Sequence, residues 1–204
     1  MRIDQTAGMD DTPKLGTDYI KDLPMPAVAD WPIFPFKGQM SVRTVRPFEA
    51  EDAPRSGEAG GPPCHCSGEG DFTPAAPIWK NDRWLVRPIG FGGNRAPFPA
   101  YMLETVDHID FDDFDEDRAA ELGVMTLRLD RAMRKADDLG RVHVNRWGDG
   151  GSHYHLWFLG RPRGAGQLRG FALPWWGFIL PGRSEEEQAA TDQSIATSLS
   201  AAAA

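Results

Sequence analysis

The feature that most constrains the fold is a glycine-rich turn that leads directly into a strand carrying two histidines. The turn covers residues 148–151, and the strand runs from His153 to Leu159 as His-Tyr-His-Leu-Trp-Phe-Leu. Side chains at positions i and i+2 of a strand share one face. We therefore expect His153, His155 and Trp157 on one surface and the intervening apolar side chains in a core. Two imidazoles beside a loop of backbone amides suit phosphate chemistry, metal binding or both.

The length and composition favour one domain with extensions. The chain has 204 residues, of which 41% are hydrophobic, and its seven Trp and eleven Phe are ample for a core. A formal net charge of −8 argues against general affinity for nucleic-acid backbone or anionic membranes. No apolar run approaches the length of a membrane span, and the polar N-terminus does not resemble a secretory signal. A cytoplasmic location is therefore expected.

Composition divides the chain into three parts. Residues 1–63 are predicted to form an irregular arm, a proline-broken apolar strap and a Gly/Pro/acidic linker, with one strand over 39–46 where the pattern alternates. Residues 64–182 are predicted to form the regular domain. Residues 183–204 are predicted to form a helix and tail. The aromatic stretch 171–180 is expected to extend or cover the sheet.

One helix stands out within the regular domain. Asp115 can cap it, and acidic residues follow in its first turn, where they complement the helix dipole. Apolar residues then recur at helical spacing, and Gly140 is the expected stop. We therefore predict an α+β fold, in which a mainly antiparallel sheet of about five strands packs against this helix over 115–139. Besides the histidine strand, the strand patterns are 78–86, which reads as two short strands around a polar turn, 100–105 and 142–146.

The only two cysteines, Cys64 and Cys66, flank His65. A disulfide between residues two apart is strained, because the Cβ atoms cannot reach the required separation and direction. In a chain without an export signal, metal ligation is the favoured interpretation. The alternative is a pair of reduced loop thiols with no role.

The order of these features resembles the histidine-triad superfamily. Strands are followed by His108, the amphipathic helix, a strand containing Asn145, a glycine turn and the His-x-His strand. The motif of that superfamily is His-φ-His-φ-His-φ-φ after an Asn and a glycine loop, and residues 153–159 match it. Residues 104–108 before the acidic helix cap look like the galactose-1-phosphate uridylyltransferase branch. The resemblance covers residues 64–162, roughly half of the chain, and also implies a homodimer.

This resemblance implies a nucleotidyl hydrolase or nucleotidyltransferase acting on a nucleoside phosphate or phosphoanhydride. His155 would attack the α-phosphorus and form a covalent nucleotidyl-histidine intermediate. Donors from the preceding loop and strand would stabilise the developing negative charge. The implied catalytic residues are His155, Asn145 and Ser152, and the implied phosphate-binding residues are Gly150, Gly151 and Trp157.

The same resemblance implies a zinc site, because that transferase branch and some bacterial triad hydrolases carry one. The matching residues are Cys64, Cys66, His108 and His153. Their types suit tetrahedral zinc, and four filled positions indicate a structural ion. The cysteine spacing is CxC, whereas the family has CxxC. Two alternatives therefore stay open, in which His65 replaces one thiolate or no metal binds.

Two further departures bear on catalysis. Trp157 stands at the third triad position, where transferases of the superfamily use Gln, and an indole offers one donor and accepts no proton from phosphate. Residues 87–90 contain no carboxylate, whereas the hydrolase branch uses an Asp there to hold ribose hydroxyls. A catalytically weakened, zinc-containing ligand-binding protein of the same fold and a Cys/His metal-dependent protein of other function are the competing hypotheses. Three arginines could contact phosphate or simply be solvated: Arg146, Arg161 and Arg163.

Overall fold

The computed structural model describes residues 31–69 and 73–202, and it divides into two compact units at residues 53 and 54. In the first unit, residues 31–53 form turns and bends but neither a helix nor a strand. The strand predicted over 39–46 is therefore wrong. Most of its side chains are exposed, so the alternating pattern has no buried face to stabilise. The arm predicted over residues 1–30 lies outside the described residues.

The second unit contains the predicted antiparallel sheet. The strands in the described part of the chain are β1 (Trp79–Lys80), β2 (Trp84–Pro88), β3 (Gly90–Phe91), β4 (Asn94–Arg95), β5 (Ala100–Thr105), β6 (Leu139–Asn145) and β7 (His155–Pro162). Five of them form the sheet in the order β1-β2-β5-β7-β6, and β3 pairs with β4 in a separate two-stranded ribbon. Every pairing between neighbouring strands is antiparallel.

Three α-helices accompany the sheet in the described residues: α1 (Glu116–Ala136), α2 (Leu173–Ile179) and α3 (Glu185–Ala201). The predicted cap of α1 is confirmed, since the Asp115 side chain accepts a hydrogen bond from the Arg118 amide at 2.7 Å. The predicted stop at Gly140 is wrong. The helix already ends at Ala136, because Asp137 adopts extended backbone, and Gly140 lies inside β6. A Cβ at Gly140 would lie 2.6 Å from the Arg161 guanidinium, so the glycine allows a close cross-strand approach.

The main core lies between one face of the sheet and helices α1 and α3. The alternating residues predicted to face inward do so, with Tyr154 and Phe158 almost fully buried and Leu156 at 9% exposure. Ile195 and Leu199 bring α3 into the same core. On the opposite face, α2 contacts β3 and β7 around a smaller apolar cluster, so the aromatic stretch covers part of the sheet as expected. No helix in the described part of the chain combines the length and apolar character needed to cross a bilayer.

Replacing Leu129 on α1 with alanine should lower the free energy of unfolding by about 2–5 kcal/mol, because the side chain is fully buried and leaves a cavity. Leu127 on the same helix is 49% exposed, and its alanine variant should change the free energy by less than about 0.5 kcal/mol. Chemical denaturation of both variants measures the difference. Equal losses would contradict the helix orientation.

Candidate functional site

The sheet face opposite α1 carries the polar residues. In the antiparallel register, Glu104 of β5 lies opposite His155 of β7, and Met102 lies opposite Trp157. Asn145 of β6 also lies opposite Trp157. Directly opposed residues of an antiparallel pair share a face. The period-two pattern therefore placed the second histidine and Trp157 on the correct surface.

A cavity of about 1310 Å³ opens on this face of the sheet. His155, Trp157, Gly150 and Gly151 line it. Among the described residues that form its wall, neither Asn145 nor Ser152 is present. The structure thus brings together four of the six residues predicted for catalysis and phosphate binding.

Both ring nitrogens of His155 face main-chain carbonyls. Nδ1 lies 2.9 Å from the His153 oxygen, and Nε2 lies 3.0 Å from the Trp147 oxygen. A carbonyl oxygen only accepts hydrogen bonds, and a neutral imidazole carries one N–H. In either neutral tautomer, one nitrogen therefore faces a carbonyl without a hydrogen between them. The tautomer with its hydrogen on Nδ1 leaves the Nε2 lone pair facing the Trp147 carbonyl.

Ser152 lies outside the cavity wall formed by the described residues, and its hydrogen bonds go to Ser56. Its amide and hydroxyl both donate to the Ser56 carbonyl oxygen, at 2.9 and 3.2 Å. Its hydroxyl also lies 3.4 Å from Nε2 of His108. The predicted phosphate donor is therefore already engaged. Ser152 supports His108 instead of the cavity.

The stretch predicted as a linker holds the glycine loop in place. The Ser56 amide donates to the Gly150 carbonyl at 3.2 Å, and a parallel bridge joins Ser56 to Gly151. Arg55 donates to the Gly148 carbonyl at 3.1 Å and pairs with Asp110 at 2.6 Å. Sequence reasoning missed these contacts, since Gly/Pro-rich composition carries no periodic signal.

The four residues implied as zinc ligands meet in one cluster. The ligand atoms of Cys64, Cys66, His108 and His153 all lie within 4.8 Å of one another. Two thiolates and two imidazoles form a common set for tetrahedral structural zinc. His65 lies beside this cluster but is not part of it. Its Nε2 lies 3.3 Å from Oε2 of Glu104, its Nδ1 lies 3.9 Å from Sγ of Cys64, and its ring stacks on His153. The arrangement therefore fits zinc through both cysteines, without His65 as a substitute.

Hydrogen bonds orient the two histidines of this cluster. Nε2 of His153 lies 2.8 Å from the Thr105 carbonyl and donates to it, so Nδ1 presents its lone pair 3.5 Å from Sγ of Cys64. Burial lowers the pKa of His153, which favours this neutral form. Burial, followed by the hydrogen bond with Cys64, raises the pKa of Cys66 to about 11. Coordination would therefore release a thiol proton.

Gly57 fits against the metal cluster. Its φ is +94°, and a Cβ there would lie 2.5 Å from Cε1 of His108 and 2.8 Å from the Ser152 hydroxyl. Gly57→Ala should displace the His108 ring and weaken zinc binding by about 10–100-fold. Gly60 is a matched control, because its φ is +81° and nothing lies within 4 Å of a Cβ. Competition with a chromophoric chelator measures the affinity. Equal affinities in the two variants would contradict this contact.

Sequence reasoning missed a buried polar network beside His155. Glu104 is 1% exposed, and its Oε2 lies 3.0 Å from Nε of Arg87 and 3.3 Å from Nε2 of His65. The one available signal was a carboxylate inside the apolar strand pattern of β5. Buried carboxylates are normally paired. The identity of the partners depends on the sheet register, which the sequence pattern does not specify.

No protein-family model and no curated protein matches this chain. Three solved structures similar to it are histidine triad proteins. The protein from Bradyrhizobium japonicum has a TM-score of 0.49 at 19% identity and covers 60% of this chain and 89% of its own. The one from Marinobacter aquaeolei has a TM-score of 0.49 at 17% identity, covering 62% and 89%. A Zn-bound family member from Mycobacterium smegmatis has a TM-score of 0.45 at 18% identity, covering 67% and 92%.

All three carry the name of the family that the sequence motif resembles.

Proposed function

We propose that this chain is a nucleotidyl hydrolase or nucleotidyltransferase that acts through a covalent nucleotidyl-His155 intermediate. One observation carries the proposal. The His155 ring lines the cavity beside Gly150 and Gly151, with Nδ1 2.9 Å from the His153 carbonyl. A main-chain acceptor at Nδ1 orients the ring and leaves the Nε2 lone pair as the nucleophile.

In the proposed reaction, Nε2 of His155 bonds to the α-phosphorus, and the bond from phosphorus to the leaving oxygen breaks. The amides of Gly150 and Gly151 are the nearest candidates to stabilise the phosphoryl oxygens, because the pairing with Ser56 uses the Gly150 carbonyl and the Ser152 amide instead. One such preorganised donor typically contributes about 3 kcal/mol to the transition state. Water, or a phosphorylated acceptor, then attacks phosphorus and releases the histidine.

The conformation described here is not yet the reactive one. The Trp147 carbonyl lies 3.0 Å from Nε2 of His155, where the phosphorus must approach. The Trp147 carbonyl therefore has to move before attack. Hydrogen bonds from Arg55 and Ser56 to the carbonyls of Gly148 and Gly150 hold the rest of the loop, so the donors at Gly150 and Gly151 keep their position.

We also infer that zinc bound by Cys64, Cys66, His108 and His153 has a structural role. When bound, the ion would crosslink three chain segments and leave no position open for water. His153 links this centre to catalysis, since its side chain faces the cluster and its carbonyl accepts the His155 hydrogen bond. Loss of the metal would thus disturb the orientation of the nucleophile.

One observation favours a second candidate, a zinc-containing ligand-binding protein with weakened catalysis. Trp157 occupies the third triad position, and its Nε1 is buried without a hydrogen-bond partner among the described residues. Such a donor offers a departing oxygen no proton, because an indole does not ionise near neutral pH. Binding would then occur without turnover.

Trapping of the intermediate separates the two candidates. The zinc-loaded protein is incubated with α-labelled nucleoside phosphates that carry different leaving groups, and it is then quenched in base. We expect label that is stable in base and labile in acid, and peptide mass spectrometry should place it on His155. Nucleotide binding without any covalent label would contradict the enzyme and favour the binding protein.

A further inference from the structure

The cavity is larger than a nucleotide requires. Small-molecule sites typically have volumes of about 300–1,000 Å³, and this one measures about 1310 Å³. A nucleoside monophosphate therefore leaves room for a sizeable second group. Apolar side chains dominate the remaining wall, and those that matter here are Pro62, Pro63, Pro88, Ile89, Met102 and Trp157.

The charges around the cavity do not suit several phosphates. Among the described residues that line it, the arginines are Arg87 and Arg95, and the carboxylates are Glu69, Glu104 and Asp149. The carboxylates thus outnumber the arginines. Sites for diphosphate and triphosphate groups commonly clamp them with Arg, Lys or a bound cation.

Arg87 is not free to serve as such a clamp, and Arg95 is the one other arginine among the described residues of the wall. Arg87 donates Nε to Glu104 at 3.0 Å and NH1 to the Ala75 carbonyl at 2.7 Å, and its side chain is only 11% exposed. Arg95 donates Nε to the Arg183 carbonyl at 3.2 Å from the exposed β3–β4 ribbon. The positive charge of Arg87 is therefore compensated within the wall.

The three arginines that the sequence offered for phosphate lie elsewhere. None of them belongs to the cavity wall among the described residues. Arg146 packs over the Phe111 ring at 4.8 Å, and Arg163 pairs with Asp138 at 2.6 Å. Arg161 lies against Gly140. The site therefore has donors for one phosphoryl group, in the glycine loop. Outside the Arg87–Glu104 pair, the described wall offers a second phosphate the single arginine Arg95 against the carboxylates of Glu69 and Asp149.

We propose, resting on the function proposed above, that the substrate is a phosphodiester: a nucleoside 5′-phosphate esterified to a bulky apolar group without negative charge. Nε2 of His155 bonds to phosphorus, and the bond to the ester oxygen breaks. That oxygen keeps the electron pair and takes a proton from solvent. Water then bonds to phosphorus and loses a proton, the N–P bond breaks with its pair returning to nitrogen, and the nucleoside monophosphate leaves.

The test compares three substrates of one nucleoside: the naphthyl ester of the 5′-phosphate, the 5′-triphosphate and a nucleotide sugar. We expect kcat/KM for the naphthyl ester to exceed both others by at least tenfold. A higher value for the triphosphate or the nucleotide sugar would overturn this inference while the covalent label on His155 upholds the function. No label with any of the three would overturn the function and this inference together.

A charge substitution in the wall sharpens the test. Asp149→Asn should raise the ratio of kcat/KM for the triphosphate to that for the naphthyl ester several-fold, because a carboxylate at the cavity repels the added phosphates. Asp138→Asn makes the same charge change outside the cavity, at a side chain that is 73% exposed. Its ratio should equal that of the wild type. The same ratio in all three proteins would contradict electrostatic exclusion.

Discussion

His155→Ala should reduce nucleotide turnover by on the order of 10⁴-fold or more and should abolish the acid-labile label. Without the nucleophile the covalent intermediate cannot form, so the whole reaction pathway is lost. The His155 ring lines the cavity from β7, where it lies opposite Glu104 of β5. Initial rates and label transfer, measured on zinc-loaded protein, give the two readouts.

His143→Ala is the matched control for this loss. His143 lies on the neighbouring strand β6, outside the cavity wall formed by the described residues. Burial, followed by the positive charge of Arg161, lowers its pKa and favours the neutral ring. This variant should keep both turnover and label. Retention of label by His155→Ala, or an equal loss in the two variants, would show that another group is the nucleophile.

Cys64→Ser should remove stoichiometric zinc and destabilise the fold. Cys64 is 6% exposed and its Sγ lies 3.5 Å from Nδ1 of His153, so its replacement removes a buried thiolate ligand from the cluster. Structural zinc contributes about 10–16 kcal/mol of binding free energy in small zinc domains. Even a loss of about 3 kcal/mol should lower Tm by about 6–12 °C in a chain of this size. Metal analysis and thermal unfolding measure both effects.

The adjacent histidine provides the control for the zinc site. His65→Ala removes a ring that faces Glu104 and lies outside the four-ligand cluster. It should keep one zinc per chain, and its Tm should fall by less than that of Cys64→Ser, because the Glu104 carboxylate keeps Arg87 as a partner. Treatment of the wild type with a strong chelator should reproduce the Cys64→Ser result. Zinc loss in His65→Ala with zinc retention in Cys64→Ser would reverse the ligand assignment.

Local patterns predicted the elements of the site correctly. The alternation from His153 to Leu159 placed the second histidine on the open face and Leu156 in the core, because side chains of an extended strand must alternate. The helix over 115–139 was recognisable from its cap and apolar spacing, and its observed span is Glu116–Ala136. The zinc set came from a family motif, whose residues lie far apart in the chain.

Two of the predictions differ from the structure because of contacts between residues that are distant in the sequence. Gly140 was expected to end a helix, yet it gives room for Arg161 across a strand pair. Ser152 was expected to donate to phosphate, yet its amide and hydroxyl donate to Ser56, 96 residues earlier. The sequence around each residue is compatible with both roles. Only the position of the partner decides between them.

By itself, the sequence determined the main helix, the strands of the central sheet and which side chains of the histidine strand share a face. These properties depend on neighbours within a few residues, whose spacing is visible in the chain. The tertiary structure decided that Glu104 neutralises Arg87, that the segment beginning at Arg55 holds the glycine loop, and that the Trp147 carbonyl covers Nε2 of His155. Such pairings arise from strand register and loop packing, which no local pattern encodes.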